Sequence, residues 1–190
     1  MKLSVTLIMG LLAVAFLAGA SATGFVSFAG TQTPPAESTP YSTMQTAFCP
    51  SQECTTLPVA ALDSAHTRIW VAMYSFTNQD LADALIRARS RGIDVRVIVE
   101  KQQAGSQYSQ HRNLADAGIP VRIDSNPNYM HHKFAVIDTD KLINGSMNWS
   151  GNGVGENNEN VSLIASPELN QKFSSEFQKI WDDSDAFAGS

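Results

Sequence analysis

The stretch MHHKFAVIDTDKLINGSMNWSGNGVGENNEN, residues 130–160, contains the pattern on which the fold and the chemistry of this chain depend. Two short apolar runs, at residues 134–137 and 141–143, predict two β-strands. Residues 138–140, Asp-Thr-Asp, predict a turn between them. The turn is expected to bring the residues just before the first strand beside those just after the second.

Four polar residues stand at these two strand ends. His131 and Lys133 are two residues apart at the start of the first strand, so their side chains leave the sheet on the same face. His132 between them points to the other face. Ser146 and Asn148 are also two residues apart, just after the second strand. The turn therefore predicts one polar cluster that contains His131, Lys133, Ser146 and Asn148.

These residue types suit the transfer of a phosphoryl group. An imidazole can act as a nucleophile or a general acid near neutral pH, and a lysine ammonium suits a phosphate oxygen. A serine hydroxyl and a carboxylate such as Glu159 can orient the imidazole. No pair of acids is placed to bind a hard divalent metal ion, which prefers several oxygen ligands. We therefore expect metal-free attack on a phosphodiester, without a cofactor.

The spacing in this stretch resembles the HKD motif of the phospholipase D superfamily, H-x-K-x(4)-D-x(6)-G-S-x-N. The matching residues are His131, Lys133, Asp138, Gly145, Ser146 and Asn148, with Glu159 and Asn160 at the downstream acidic position of the family. The resemblance extends over about residues 48–182. The stretches FCPSQEC, NYMHHKF and GSMNWS are most similar to the single-motif branch, which contains small bacterial secreted endonucleases and the mitochondrial cardiolipin hydrolase (Zucchini) proteins. The zinc-binding insertion of its animal members is absent from this sequence.

This resemblance implies a layered α-β-α sandwich with a mixed central β-sheet, and a two-step reaction through a phosphohistidine. One HKD histidine attacks phosphorus, and a second protonates the leaving oxygen and then activates water. His131 is either the nucleophile or the acid. Since neither His66 nor His111 is followed by a lysine two residues on, the chain has one copy of the motif. We therefore expect a homodimer with the site on its twofold axis.

The resemblance also implies a role for each other polar residue of the motif. Lys133 and Asn148 hold the phosphate oxygens, while Ser146 and Glu159 orient the imidazole. Asp138 supports the local structure through hydrogen bonds rather than touching the substrate.

Outside this stretch, apolar strands alternate with amphipathic helices, which indicates an α/β layered fold. The clearest unit has a strand at residues 68–74, a helix at 80–91 capped by Thr77 or Asn78, and a strand at 93–99 after Gly92. The other expected elements are helices at 57–66, 109–117 and 167–181 and strands at 120–124 and 161–164.

The sequence predicts three successive parts of the chain: an N-terminal apolar segment, a linker and a folded domain. Residues 1–22 have a positive start, an apolar run and small residues at their end, as in a secretory signal peptide. The alternative is a membrane anchor with contact through residues 3–29, which are long enough to span a bilayer. Export, to the periplasm or the medium, is favoured over anchoring. Residues 23–47 are expected to be a flexible linker rich in Pro, Ser and Thr, and residues 48–184 the phosphodiesterase domain.

Composition limits the class of protein. The chain has 190 residues, 43% of them hydrophobic, which allows one globular domain with a full core and excludes a disordered chain. Its formal net charge of −5 excludes nucleic-acid binding through bulk electrostatics. Eight basic and five acidic residues between positions 66 and 122 allow a local contact with a nucleic-acid backbone, although an ordinary solvated surface is the favoured interpretation. Tyr129 and Trp149 flank the motif and either stack on a base or pack beside the site.

Two cysteines, Cys49 and Cys54, lie near the start of the domain. A local disulfide is favoured for an exported chain. The alternative is two thiols at a buried edge. A zinc site would need more ligands than these two residues supply.

The sequence leaves three functional hypotheses, each from a different class of protein. The leading hypothesis is an exported, metal-independent nuclease acting on DNA or RNA. The second is a phospholipase acting on phosphatidyl lipids, because the motif reads the phosphodiester and not its substituents. The third is a non-catalytic binding or scaffold domain, which the intact motif disfavours because binding phosphate alone does not require a histidine with orienting groups.

Overall fold

A computed structural model describes residues 43–188 of the chain, and these residues form a single mixed sheet with helices on both faces. The strands are β1 (Thr43–Cys49), β2 (Arg68–Met73), β3 (Asp94–Val99), β4 (Val121–Ile123), β5 (Lys133–Ile137), β6 (Lys141–Gly145), β7 (Glu159–Ala165) and β8 (Asp185–Ala186). The helices are α1 (Glu53–Asp63), α2 (Gln79–Ser90), α3 (Lys101–Ala104), α4 (His111–Asp116), α5 (Gly151–Gly155) and α6 (Pro167–Asp183). The predicted layered α/β fold with a mixed central sheet is confirmed.

The sheet has a parallel half and an antiparallel half. Its strand order is β1-β7-β6-β5-β2-β3-β4-β8, in which β2, β3 and β4 are parallel. The strands from β5 to β1 pair antiparallel with their neighbours, and so does β8 with β4. Strand β5, which begins at Lys133, therefore lies in the middle of the sheet between β2 and β6.

The predicted strand–helix–strand unit is present as β2, α2 and β3. The Asn78 side chain caps α2 by accepting a hydrogen bond from the backbone N–H of Leu81. Gly92 follows the helix with a φ of 86°, a left-handed conformation that glycine adopts without a steric penalty. Leu81 and Leu85 face the sheet and are fully buried, as the helical spacing predicts.

Alternate residues of the central strands pack into two separate cores. Val71, Val97 and Ala135 point toward α1 and α2. Ala72 and Phe134 point to the opposite face, where they meet Phe177 and its neighbours on α6. Because side chains alternate along a strand, Lys133 lies on the same face as Ala135, toward α1 and α2, and His132 lies on the same face as Phe134, toward α6.

Three boundaries differ from those predicted. Residues 43–47, which precede the predicted start of the domain at Phe48, belong to β1, which pairs along its whole length with β7. Its first four residues, 43–46, are exposed and largely polar, so no apolar pattern marks them as a strand. At the other end β8 extends the domain beyond residue 184. The first helix begins at Glu53 instead of residue 57, since Cys54 also lies in the core.

The disulfide between Cys49 and Cys54 is present and joins the end of β1 to the first turn of α1. The predicted signal peptide or anchor at residues 1–22 and most of the predicted linker at residues 23–47 lie outside the described residues. Across residues 43–188, the helices are all too short or too polar to cross a bilayer.

Candidate active site

The site is built where β5 begins and β6 ends. The predicted turn connects these strands, and Asp138 in it has a φ of 50°. Phe134 pairs with Asn144 in the ladder, so the residues before β5 lie beside those after β6. The hairpin thereby brings His131 and Lys133 to the same end of the sheet as Ser146.

His131 and Lys133 are in direct contact. The Lys133 Nζ atom lies 3.1 Å from Nδ1 and 3.3 Å from Nε2 of His131, and it donates to the His131 carbonyl oxygen at 2.9 Å. His131 is exposed, whereas Lys133 is half-buried. Burial lowers the pKa of Lys133, and the carboxylate of Glu159 opposes that effect. The arrangement presents an accessible imidazole beside a partly desolvated ammonium.

The loop after β2 forms the next wall of the site. The backbone N–H of Tyr74 donates to the carbonyl of His132 at 2.8 Å, which extends the β2–β5 pairing beyond the strands. The Tyr74 ring centroid lies 4.4 Å from that of His131, and Lys133 Nζ lies 5.1 Å from the same Tyr74 centroid. No sequence pattern marks Tyr74 as a site residue, because only the pairing of β2 with β5 brings its ring beside His131.

Ser146 and Glu159 form a second pair at the ends of β6 and β7. The Ser146 hydroxyl donates to Oε2 of Glu159 and accepts a hydrogen bond from the backbone N–H of Asn160 at 3.1 Å. Asn157 Nδ2 donates to the other carboxylate oxygen at 3.2 Å. Ser146 and Glu159 therefore form hydrogen bonds with each other, Asn157 and Asn160, and not with the imidazole of His131 in the same chain.

Gly145 allows the close approach of β6 and β7 that brings Ser146 to Glu159 and Asn160. A Cβ atom at position 145 would lie 2.2 Å from the carbonyl oxygen of Asn160, a distance that no side chain tolerates. The absence of a side chain allows β6 and β7 to approach closely just before Ser146. This close approach explains why a glycine precedes the serine.

Asn148 is held by the loop after β2. Its Oδ1 atom accepts a hydrogen bond from the backbone N–H of Ser75 at 3.3 Å. The backbone N–H groups of Thr77 and Asn78 donate to the next carbonyl, that of Trp149. With Oδ1 engaged, the Nδ2 group is the end of Asn148 that can donate to an anion.

Asp138 lies at the opposite end of β5 from His131. Its carboxylate accepts hydrogen bonds from the backbone N–H groups of His66, Thr67 and Arg68 and from the Thr67 hydroxyl. Burial opposes ionisation of Asp138, but these hydrogen bonds outweigh it and lower its pKa. The structure therefore places Asp138 in the support of the β5–β6 hairpin rather than in the polar cluster.

The other three histidines of the chain lie apart from this cluster. His132 points to the α6 face, 3.9 Å from Glu176, and burial lowers its pKa. His66 is beside Asp138. His111 is 1% exposed and bonded to Ser109, and burial lowers its pKa too.

The two flanking aromatic residues differ in their surroundings. Trp149 is 1% exposed and packs edge-on against Phe76, so it is a packing residue and not a platform for a base. Tyr129 is 56% exposed, with its ring edge-on to Tyr74. Of the two, only Tyr129 is accessible to a substrate.

Most arginines between positions 66 and 122 are engaged with the protein itself. Arg87 and Arg91 contact Asp63, and Arg96 contacts Asp94. Arg122 donates to backbone carbonyls at the end of α6. These contacts favour the interpretation of an ordinary surface. Among the described side chains, no group of three or more His, Cys, Asp and Glu residues is arranged to hold a metal ion.

The mixed sheet, with the His-Lys, Ser-Glu and Asn groups at the ends of its strands, defines a phospholipase D-like domain. Residues 59–181 match the family model described as "Cardiolipin synthase, PLD-like domain". The chain belongs to this family, and the resemblance deduced from the HKD motif is confirmed.

Curated relatives and solved structures support the same assignment. Mitochondrial cardiolipin hydrolases from Chlamydomonas reinhardtii and Danio rerio are 40% and 41% identical over 121 and 123 residues. Each match covers 64% of this chain and 54% of the relative, so the chain spans about half the length of these proteins. The phospholipase D family member Nuc from Salmonella typhimurium is 30% identical with a TM-score of 0.76, covering 79% of this chain and all of that one. NucT from Helicobacter pylori is 26% identical with a TM-score of 0.71, covering 77% of this chain and all of that one.

Proposed function

We propose that this protein is a metal-independent phosphodiesterase that cleaves DNA or RNA as an endonuclease through a phosphohistidine intermediate. The observation that carries the proposal is the exposed His131 imidazole with the Lys133 ammonium 3.1 Å from its Nδ1 atom. A nucleophile and a phosphate-binding cation are then presented together to a phosphodiester.

The reaction follows from the groups at the site. A ring nitrogen of one His131 attacks phosphorus while the bond from phosphorus to the leaving oxygen breaks, and a second imidazolium gives that oxygen its proton. The resulting imidazole then takes a proton from water, whose oxygen attacks phosphorus and releases the first histidine. Lys133 and the Nδ2 group of Asn148 stabilise the negative charge on the phosphoryl oxygens.

The second imidazole comes from another copy of the chain, so the active enzyme is a homodimer. The whole sequence has four histidines, and the other three are buried, turned to the α6 face or beside Asp138. A twofold axis close to His131 supplies the missing imidazole without any further residue. Ser146 and Glu159 orient an imidazole, which in such a dimer need not belong to the same chain.

The nuclease proposal is supported by the resemblance of the motif stretches to the single-motif endonuclease branch and by the structural similarity to Nuc and NucT, with TM-scores of 0.76 and 0.71. The alternative, hydrolysis of cardiolipin or another phosphatidyl lipid, is supported by the names of the cardiolipin hydrolase relatives and by the 40% identity to one of them. The Cys49–Cys54 disulfide supports export to an oxidising compartment, with anchoring by residues 3–29 as the alternative.

The decisive experiment compares substrates with the purified protein. Single-stranded DNA, double-stranded DNA, RNA and cardiolipin vesicles are incubated with the wild type and with His131→Ala. Cleavage of a nucleic acid that His131→Ala lacks supports the proposal. Cleavage of cardiolipin alone replaces it by the lipid alternative, and cleavage by both proteins alike contradicts the role of His131.

A further inference from the structure

The Tyr74 ring contacts both proposed reacting groups, the His131 imidazole and the Lys133 ammonium. Its centroid lies 4.4 Å from the centroid of the His131 ring and 5.1 Å from the Lys133 ammonium nitrogen. An ammonium within about 6 Å of an aromatic centroid is attracted by the ring's quadrupole. One half-buried ring therefore limits the positions of two side chains that would otherwise be mobile at an exposed strand end.

The Tyr74 ring is itself fixed from its far end. Gln103 Nε2 donates to the Tyr74 hydroxyl at 3.3 Å. Gln103 belongs to α3, whose first turn is set by Glu100: a carboxylate oxygen of this 1% exposed residue accepts from the backbone N–H of Gln103 at 2.8 Å. The backbone N–H of Glu100 donates to the carbonyl of Met73, the residue before Tyr74. These contacts connect a buried carboxylate to the orientation of the ring.

We propose that Tyr74 is a positioning residue for phosphodiester cleavage, and that Gln103, set by Glu100, holds its ring against His131 and Lys133. This inference rests on the proposed function, because it requires that His131 and Lys133 act on the substrate. The ring holds the imidazole in the orientation for attack and keeps the ammonium next to it. It forms no bond to the substrate and exchanges no proton.

The first test separates the ring from its hydroxyl. Tyr74→Phe keeps the ring but loses the hydrogen bond to Gln103, so we expect kcat about threefold below the wild type, whereas Tyr74→Leu also loses the ring contacts with His131 and Lys133 and lowers kcat by about tenfold or more. KM changes less than kcat in Tyr74→Leu, because orientation of the attacking group matters most in the transition state. Tyr108→Leu, which changes a tyrosine that is 69% exposed, serves as the matched control and retains wild-type kinetics.

The second test concerns the hydrogen bond between Gln103 and the Tyr74 hydroxyl, and it can be carried out even if Tyr74→Leu does not fold. Gln103→Leu and Tyr74→Phe each remove the same hydrogen bond, so we expect the double variant to be no slower than the slower single variant. Additive losses in this cycle, or equal losses in Tyr74→Phe and Tyr74→Leu, would overturn the proposal. So would a kcat of the wild-type value in folded Tyr74→Leu.

The same measurements on His131→Ala identify a failure of the proposed function. If His131→Ala is as active as the wild type, the function assigned to the site is wrong, and the inference on Tyr74 falls with it. If His131→Ala is inactive and Tyr74→Leu is unimpaired, the inference alone is wrong.

Discussion

Cys49 lies opposite Glu159 in the β1–β7 ladder, and its sulfur is 3.5 Å from the sulfur of Met147, between Ser146 and Asn148. The disulfide that Cys49 forms with Cys54 is therefore in contact with the segment that carries two of the proposed site residues, Ser146 and Asn148. Covalent attachment of β1 to α1 restrains the strand that pairs with Glu159.

Loss of the disulfide is expected to affect both stability and activity. Closing a loop this short contributes about 2 kcal/mol in the chain-entropy account, so the Cys49→Ser, Cys54→Ser double variant should unfold at correspondingly lower denaturant concentration. We also expect lower kcat in the folded variant, because Glu159 and Met147 lose a rigid neighbour. Urea titration and kinetics with and without a dithiol reductant measure the two effects. Unchanged kcat after complete reduction would separate the disulfide from the site.

Removal of His131 is expected to abolish turnover without unfolding the protein. His131→Ala should lose roughly 10³-fold or more in kcat, since no other group replaces the nucleophile. His132→Ala, at the adjacent position on the opposite face, is the matched control and should stay active. Lys133→Ala should lose about 10²-fold through weaker stabilisation of the phosphoryl oxygens. Thermal melts of all three establish that folding is retained, and substantial turnover by His131→Ala removes it from the chemistry.

Activity is expected to persist in excess chelator. The carboxylate of Glu159, whose charge acts on Lys133, already accepts hydrogen bonds from Ser146 and Asn157. The chemistry assigned to His131 and Lys133 requires no Lewis acid. Initial rates with and without EDTA provide the measurement. Inhibition that is reversed by added magnesium or zinc would contradict a metal-independent mechanism.

Mixing experiments test whether the site is shared between two chains. If subunits exchange freely, wild-type chain mixed with His131→Ala forms heterodimers that lack one of the two imidazoles. Activity should then fall as the square of the wild-type fraction. Exchange is verified separately with labelled subunits, because dimers that do not exchange give a linear fall. A linear fall with proven exchange, or a fully active monomer by light scattering, contradicts the composite site.

Asp138 is expected to contribute to stability and not directly to catalysis. Asp138→Ala leaves three backbone N–H groups without their acceptor and should cost about 1–3 kcal/mol, while the folded variant keeps its kcat. Since folding lowers the pKa of Asp138, its ionisation stabilises the protein above the ordinary carboxyl pKa, and this contribution is lost as the pH falls through the lowered value. The gap in melting temperature between wild type and Asp138→Asn should therefore narrow in acid. A constant gap at all pH values argues against this linkage.

Local spacing in the sequence is sufficient to predict the central part of the fold. The β2–α2–β3 unit follows from apolar periodicity, the Asn78 cap and Gly92, all of which act within a few residues of one another. The HKD spacing likewise places His131 and Lys133 on one side of a strand, because side chains alternate along any strand. These features depend on chain geometry that is the same in every protein.

Contacts between distant segments were decided only by the tertiary structure. Strands β1 and β8 carry little apolar pattern and exist because β7 and β4 offer them unpaired edges. Trp149 is buried by Phe76, and Ser146 meets Glu159, through pairings that no local pattern specifies. Tyr74 reaches His131 because β2 happens to be the neighbour of β5, and the free energy that selects this neighbour comes from burying both faces of the sheet at once.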